Sequence, residues 1–201
     1  SSPARDAHSV EPAIVIMGEA TQGDVWIGHR GRAELEVVLS GEAGHASVPD
    51  RAANALDLLG DALAAVHDLA EAQGSDEVLG ASSLVTTMVN VLPETRNVIP
   101  DQVVMAIDWR ILPTDSDESL VARVRAAVEQ RIPELPSGLS FEVRMATEHQ
   151  VTYTGLVADR NLFTPGFLMD PEHPVVQAAA GAVGRRGAEG DAKDRPGQFA
   201  T

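Results

Sequence analysis

The stretch Arg32-Ala33-Glu34-Leu35-Glu36-Val37-Val38-Leu39 sets Leu35, Val37 and Leu39 in alternation with Glu34, Glu36 and the less polar Val38. Successive side chains of a strand point to opposite faces, so this pattern predicts a half-buried β-strand. Working outward, Ala52 to Gln73 carries Leu56, Leu59, Leu63, Val66 and Ala70 at spacings of three and four, the apolar stripe of a long amphipathic helix. Ser83 to Leu92 and Val103 to Ile111 alternate again and are joined through a turn containing Pro93 and Pro100, which predicts an antiparallel pair. Ser116 suits the N-cap of a second helix reaching Arg131, with Leu120, Val124, Ala127 and Val128 facing inward. Phe141, Val143 and Met145 alternate with Glu142 and Arg144 as a last strand. The order β-α-β-β-α-β over residues 32–147 folds most economically as a four-stranded antiparallel sheet with two helices on one face, the ferredoxin-like arrangement.

The flanks read differently. Ala13 to Gly18 is a short continuous apolar run that predicts a strand buried on both faces, with Glu19 at its end, and Gly23 to Gly31 predicts a second, more polar strand. Residues 155–169 read as a loop or irregular strand; His173-Pro174 opens a helix over Val175 to Gly184, and 187–197 is loop-like. The expected organisation is an α/β domain contributed in part by residues 1–31 and 148–201, interrupted by the ferredoxin-like insert at 32–147.

With 201 residues and 44% hydrophobic content the chain is long enough for one or two packed domains. A formal charge of -15 repels phosphates and anionic lipid heads, so neither nucleic acid nor a membrane surface is an expected partner. The apolar runs fall far short of the roughly 20 residues that span a bilayer, and the first residues have no secretory h-region. The absence of cysteine excludes disulfides and thiolate metal sites, leaving His, Asp and Glu to hold any transition metal, and fits a reducing cytoplasm.

Three groups of residues can carry chemistry. His45 sits in Gly41-Glu42-Ala43-Gly44-His45-Ala46-Ser47-Val48-Pro49, between a strand and a helix, where functional side chains concentrate; on spacing alone it equally suits the helix entrance. Asn97-Val98-Ile99-Pro100 precedes Asp108-Trp109-Arg110, and Arg110 points away from the face that buries the indole. There its guanidinium can take a carboxylate through two parallel hydrogen bonds, or pair with Asp108 on its own face. Glu19, at the carboxyl end of the first strand, can ligate zinc or stand solvated.

Taken in order, Gly18-Glu19-Ala20-Thr21, Gly28-His29-Arg30-Gly31, the His45 loop with Asn54-Ala55, Asn97-Val98-Ile99-Pro100 and Asp108-Trp109-Arg110 resemble the middle portion of one family. It is the family of di-zinc aminoacylases, acetylornithine deacetylases, succinyl-diaminopimelate desuccinylases and glutamate carboxypeptidases. The closing Gln198-Phe199-Ala200-Thr201 is similar to the start of that family's Ala-Thr-Asp-Gly loop. The resemblance implies that Glu19 is a carboxylate ligand of one zinc. It implies that His45 reaches across a homodimer to polarise the scissile carbonyl in the partner's site, and that Asn97 and Arg110 bind the substrate's carboxylate or backbone. Gly44, Pro49 and Asn54 would shape the histidine loop. Two metal ions, zinc or alternatively cobalt or manganese, would activate water against an amide.

The family's His-x-Asp motif, Glu-Glu pair and late histidine have no counterpart here, and catalytic zinc takes at least three protein ligands. The chain as written is therefore expected to be inactive, as a piece of a longer enzyme or a truncated relative. Two other readings stand beside it. One is a non-enzymatic homodimerisation module pairing through a lid helix and a strand edge; the other is an amino-acid sensor with Arg110 gripping a carboxylate.

Overall fold

A computed structural model describes residues 14–18, 21 and 24–187. Strand β1 (Gly31–Ser40) is followed by helix α1 (Leu59–Glu71), strands β2 (Ser83–Leu92) and β3 (Gln102–Ile111), helix α2 (Asp117–Arg131) and strand β4 (Ser140–Met145). The strands lie side by side in the order β4-β1-β3-β2, every pair antiparallel. Helix α1 packs beside α2 and against β2, while α2 covers β4. This is the ferredoxin-like sheet with its two helices that the alternation predicts.

The period of two decides which side chains are buried. Ala33, Leu35, Val37 and Leu39 of β1 face Trp109, Ile107, Met105 and Val103 of β3 across the ladder, and all eight are at most 1% exposed. Leu120, Val124 and Val128 of α2 close over them, fully buried and one helical turn apart. Ser116 caps α2 by accepting from the Ser119 backbone N–H at 3.2 Å, and Ser119 returns the bond to the Ser116 amide. This reciprocal cap satisfies two amides that the first helical turn leaves open.

Trp109 brings one polar atom into that core. Its indole N–H donates to Ser82 Oγ at 3.0 Å and to Gln73 Oε1 at 3.1 Å, and the Arg123 guanidinium stacks over its ring 4.5 Å from the centroid. Arg123 also donates to Gln73 and pairs with Asp115. One satisfied network therefore ties β3 to the end of α1, the start of β2 and the face of α2.

Four expectations are corrected. Ile14 to Gly18 forms no strand; Val15 is 70% and Ile16 81% exposed, because no described strand pairs with this run to bury it. The expected strand over Gly23 to Gly31 contracts to Gly28–His29, paired with Phe167–Leu168. The helix expected from Ala52 begins instead as two 3-10 turns, Pro49–Arg51 and Ala55–Leu58, with the Asn54 side chain accepting from the Leu56 amide. The tighter 3-10 winding rotates the stripe. Ala55, Leu58, Ala62, Ala65 and Val66 are buried, while Leu56 and Leu63 are each 38% exposed.

The segment after Gln150 is more ordered than expected. Strands β5 (Thr147–Val151) and β6 (Val157–Asn161) form a hairpin whose residues are all exposed, and Phe163–Thr164 then pairs with Arg32 and Ala33 of β1. At Gly31, any Cβ would stand 2.4 Å from Gly166 N, so only glycine admits this return of the chain. Helix α3 (Pro174–Gly187) begins at the proline, as the sequence suggests.

Replacing Trp109 by Phe keeps an apolar ring but removes the indole donor, leaving Ser82 Oγ without its incoming hydrogen bond and Gln73 Oε1 with Arg123 and Ser82 as its remaining donors. Urea unfolding should show a loss of about 1–3 kcal/mol. At Asp76, the Leu79 and then the Val78 amide donate to Oδ1, both at 2.8 Å, and hold the carboxyl below its ordinary 3.8. The folded-state pKa is lowered, so this contribution is complete above 3.8 and is lost as the pH falls through the lowered value. An NMR titration should find Asp76 titrating below 3.8, and Asp76→Asn should remove the acid dependence at Val78 and Leu79.

Candidate functional site

The His45 loop is a short closed excursion from the end of β1. The Gly41 amide donates to the Asp101 carbonyl, and Glu42 and Ala53 exchange backbone hydrogen bonds across the loop's neck. A Cβ on Gly41 would lie 2.1 Å from the Ala53 carbonyl oxygen, which explains glycine at the neck. Gly44–His45 pairs antiparallel with Val98–Ile99, and the Ala46 amide donates to the Asn97 carbonyl at 3.0 Å. Pro49 starts a 3-10 turn, and the Ala55 amide reaches the Pro100 carbonyl. His45 and Asn97 are thus brought together on neighbouring extended segments at the end of the sheet where β3 begins.

Within the loop, His45 Nδ1 lies 2.7 Å from Ser47 Oγ and 3.2 Å from the Ser47 backbone nitrogen. The imidazole is exposed, and Nε2 meets no hydrogen-bond partner among the described residues.

Arg110 occupies the outward face of β3 near its far end. Its Nε lies 3.1 Å from Asp108 Oδ1, so the ion pair with Asp108 is formed. Arg32, directly across the ladder from Arg110, binds the other carboxylate oxygen through Nε and a terminal nitrogen, each at 2.7 Å, and contacts Glu34 at 2.8 Å. The hydrogen bond to Asp108 pushes the Arg32 guanidinium up, against the opposing effect of burial. Asp108 therefore holds two arginines on one open sheet face. A guanidinium has five donors, so Arg110 retains capacity for a second carboxylate.

His45 and Arg110 do not meet within one chain. The His45 loop hangs from the end marked by Asp101 and Gln102, whereas Arg110 lies at the opposite end of β3. At about 3.4 Å per residue the stretch from Gln102 to Arg110 spans roughly 27 Å. A substrate the size of an acylated amino acid cannot touch both.

Among the described residues, strand β2 is the free edge on the β3 side. Val85, Met88, Val89 and Leu92 are 37–55% exposed along it, and Leu63 is exposed on the neighbouring α1. A ten-residue apolar edge is a ready template for pairing.

Glu19, the expected zinc ligand, lies outside the described residues, as does 198–201. Among the described residues no three of His, Cys, Asp and Glu stand together so as to hold a metal ion, so these residues do not build a zinc site by themselves. Nor is any described helix long and apolar enough to cross a membrane. Sequence reasoning missed Arg32, whose link to Asp108 needs the strand register, and Ser47, whose only signal is its place two residues after His45.

Residues 27–136 match the model described as the peptidase dimerisation domain. The Escherichia coli K12 protein YgeY is 27% identical over 86% of this chain and 41% of its own length. The succinyl-diaminopimelate desuccinylase of Phenylobacterium zucineum is 27% identical over 74% of this chain and 39% of its own length. A tripeptidase from Staphylococcus aureus shares the fold with a TM-score of 0.54 at 17% identity, covering 82% of this chain and 38% of that one. Aminopeptidase PepT from Bacillus cereus does so with 0.54 at 16% identity over 89% and 41%. The chain thus spans about two fifths of the length of these relatives.

Removing the shared acceptor in Asp108→Ala should lower stability by about 1 kcal/mol, since the group is only partly buried. It should also release Arg110, seen as loss of its slowly exchanging Nε–H signal by NMR, with the fold unchanged.

Proposed function

The chain belongs to the family of peptidase dimerisation domains, and from that premise we propose that it is the lid and pairing portion of a longer metal-dependent hydrolase. The reaction assigned to that parent is cleavage of an amide, in an N-acyl amino acid or a peptide, next to a free carboxylate. The support lies in the similarity to succinyl-diaminopimelate desuccinylases and in a side-chain set suited to the task. In this reading residues 32–147 are the lid, and residues 1–31 and 148–201 belong to the catalytic domain. Glu19 contributes one zinc ligand of a set completed elsewhere in the parent, and the isolated chain neither holds zinc stably nor turns over substrate. The cysteine-free composition supports a cytoplasmic location.

One observation carries the mechanism: His45 and Arg110 stand at opposite ends of β3. They serve one substrate only if they come from two chains. When two β2 edges pair about a two-fold axis, the strands run antiparallel, so the Leu92 end of one meets the Ser83 end of the other. Leu92 lies opposite Gln102, beside the His45 loop, and Ser83 lies opposite Arg110. Edge pairing thus swings His45 and Asn97 of one copy toward Arg110 of its partner.

Arg110, braced by Asp108, receives the substrate carboxylate. Asn97 offers its side chain to the substrate backbone. His45 donates to the oxygen on which charge develops as the amide carbon becomes tetrahedral, an interaction worth roughly 10²–10³ in rate.

The test is subunit complementation in the longer parent. His45→Ala and Arg110→Ala homodimers should each be nearly inactive. Mixed and re-equilibrated, they should recover about a quarter of wild-type activity, because half the dimers are hybrids with one intact site of two. No recovery on mixing would place both residues in one chain's site and end this reading. For the chain itself, light scattering should report a dimer, and Val89→Lys should shift it to monomer.

A further inference from the structure

We propose that Ser47 is a positioning residue that locks the His45 imidazole in the tautomer with its proton on Nε2. The inference rests on the donor role proposed for His45 only for its catalytic consequence; the tautomer follows from the loop itself. A neutral imidazole has one nitrogen that donates and one that accepts. The Ser47 backbone N–H can only donate, and it points at His45 Nδ1 at 3.2 Å. Nδ1 is therefore the acceptor, and the ring proton belongs on Nε2. The Ser47 hydroxyl, 2.7 Å from the same nitrogen, adds a second donor to that lone pair.

The backbone leaves the ring little alternative. The Val48 amide is committed to the His45 carbonyl at 3.0 Å and the Ala46 amide to the Asn97 carbonyl at 3.0 Å, while a Cβ on Gly44 would stand 2.6 Å from that of Ala52. Ser47 supplies the one amide of the turn that faces the ring. With Nδ1 occupied, the outward Nε2–H is a fixed hydrogen-bond donor that carries no lone pair for a metal or a proton. His45 is thus committed to stabilising an oxyanion and is unsuited to act as a base or a ligand.

The experiment is long-range ¹H–¹⁵N correlation of the histidine rings in the ¹⁵N-labelled chain at a pH where they are neutral, with His45 identified by the signals lost in His45→Gln. Wild-type His45 should give widely separated nitrogen shifts, Nε2 of the protonated type and Nδ1 of the acceptor type. In Ser47→Pro, which removes both the amide N–H and the hydroxyl, the separation should narrow toward that of His67, whose side chain is 72% exposed; in Ser47→Ala, which keeps the amide, it should narrow only in part, and Ser47→Thr should restore it. In the longer parent, Ser47→Ala should lower kcat about tenfold with KM little changed, and Ser47→Thr should rescue it. An Nδ1–H tautomer in the wild type, or a separation unmoved by Ser47→Pro, overturns the proposal. If subunit complementation fails while the tautomer pattern holds, the catalytic role of His45 falls and the positioning by Ser47 stands.

Discussion

The ladder between β1 and β3 is the constraint on which everything else depends. It pairs Gly31 with Ile111 through Ser40 with Gln102 without interruption. Because side chains alternate with a period of two, a slip of one residue by either strand would turn its own apolar set, Leu35 and Val37 or Ile107 and Trp109, out to water and its charged set, Glu34 and Glu36 or Asp108, into the core. The same register lays Arg32 beside Asp108 and Arg110 on the open face, and it sets the His45 loop and Arg110 at opposite ends of a ten-residue strand. Packing and chemistry are thus fixed by one pairing.

The two edges of the sheet differ in a way that bears on assembly. Strand β4 is short, carries Glu142 and Arg144 on its outer face, and is continued along β1 by Phe163–Thr164. Strand β2 is long and lined with exposed Val85, Met88, Val89 and Leu92, beside α1 with its exposed Leu63. The exposed edge of β2 and the exposed Leu63 of α1 therefore lie on neighbouring elements. In the function proposed above, this side of the domain pairs with a second copy, and the separation of His45 from Arg110 is what gives that pairing a chemical purpose.

Most of the central domain was legible because burial writes itself into sequence as periodicity. Leu35, Val37 and Leu39, the alternation of β3, and Leu120, Val124 and Val128 behind the Ser116 cap all declare their partners. The phase of α1 was misread because Ala55, Ala62 and Ala65, small enough for close approach to the sheet, carry less hydrophobic signal than Leu56 and Leu63. The hairpin of β5 and β6 left no trace because none of its residues is buried; backbone pairing and contacts such as His149 with Asp159 define it. At the site, the Arg110–Asp108 pair was readable from two positions on one face. Arg32 and Ser47 were not, since one depends on cross-strand register and the other on the path of a turn.

The central claim is that two copies pair antiparallel along β2, and the chain's lack of cysteine permits a direct measurement of it. Single cysteines at Met88, Ser83 and Leu92, each spin-labelled in turn, report the distance between equivalent sites in the two copies. Antiparallel pairing about the strand centre predicts a short distance at Met88 and separations of roughly 30 Å at both Ser83 and Leu92. Equal distances at all three sites, or a chain that stays monomeric, would contradict the account.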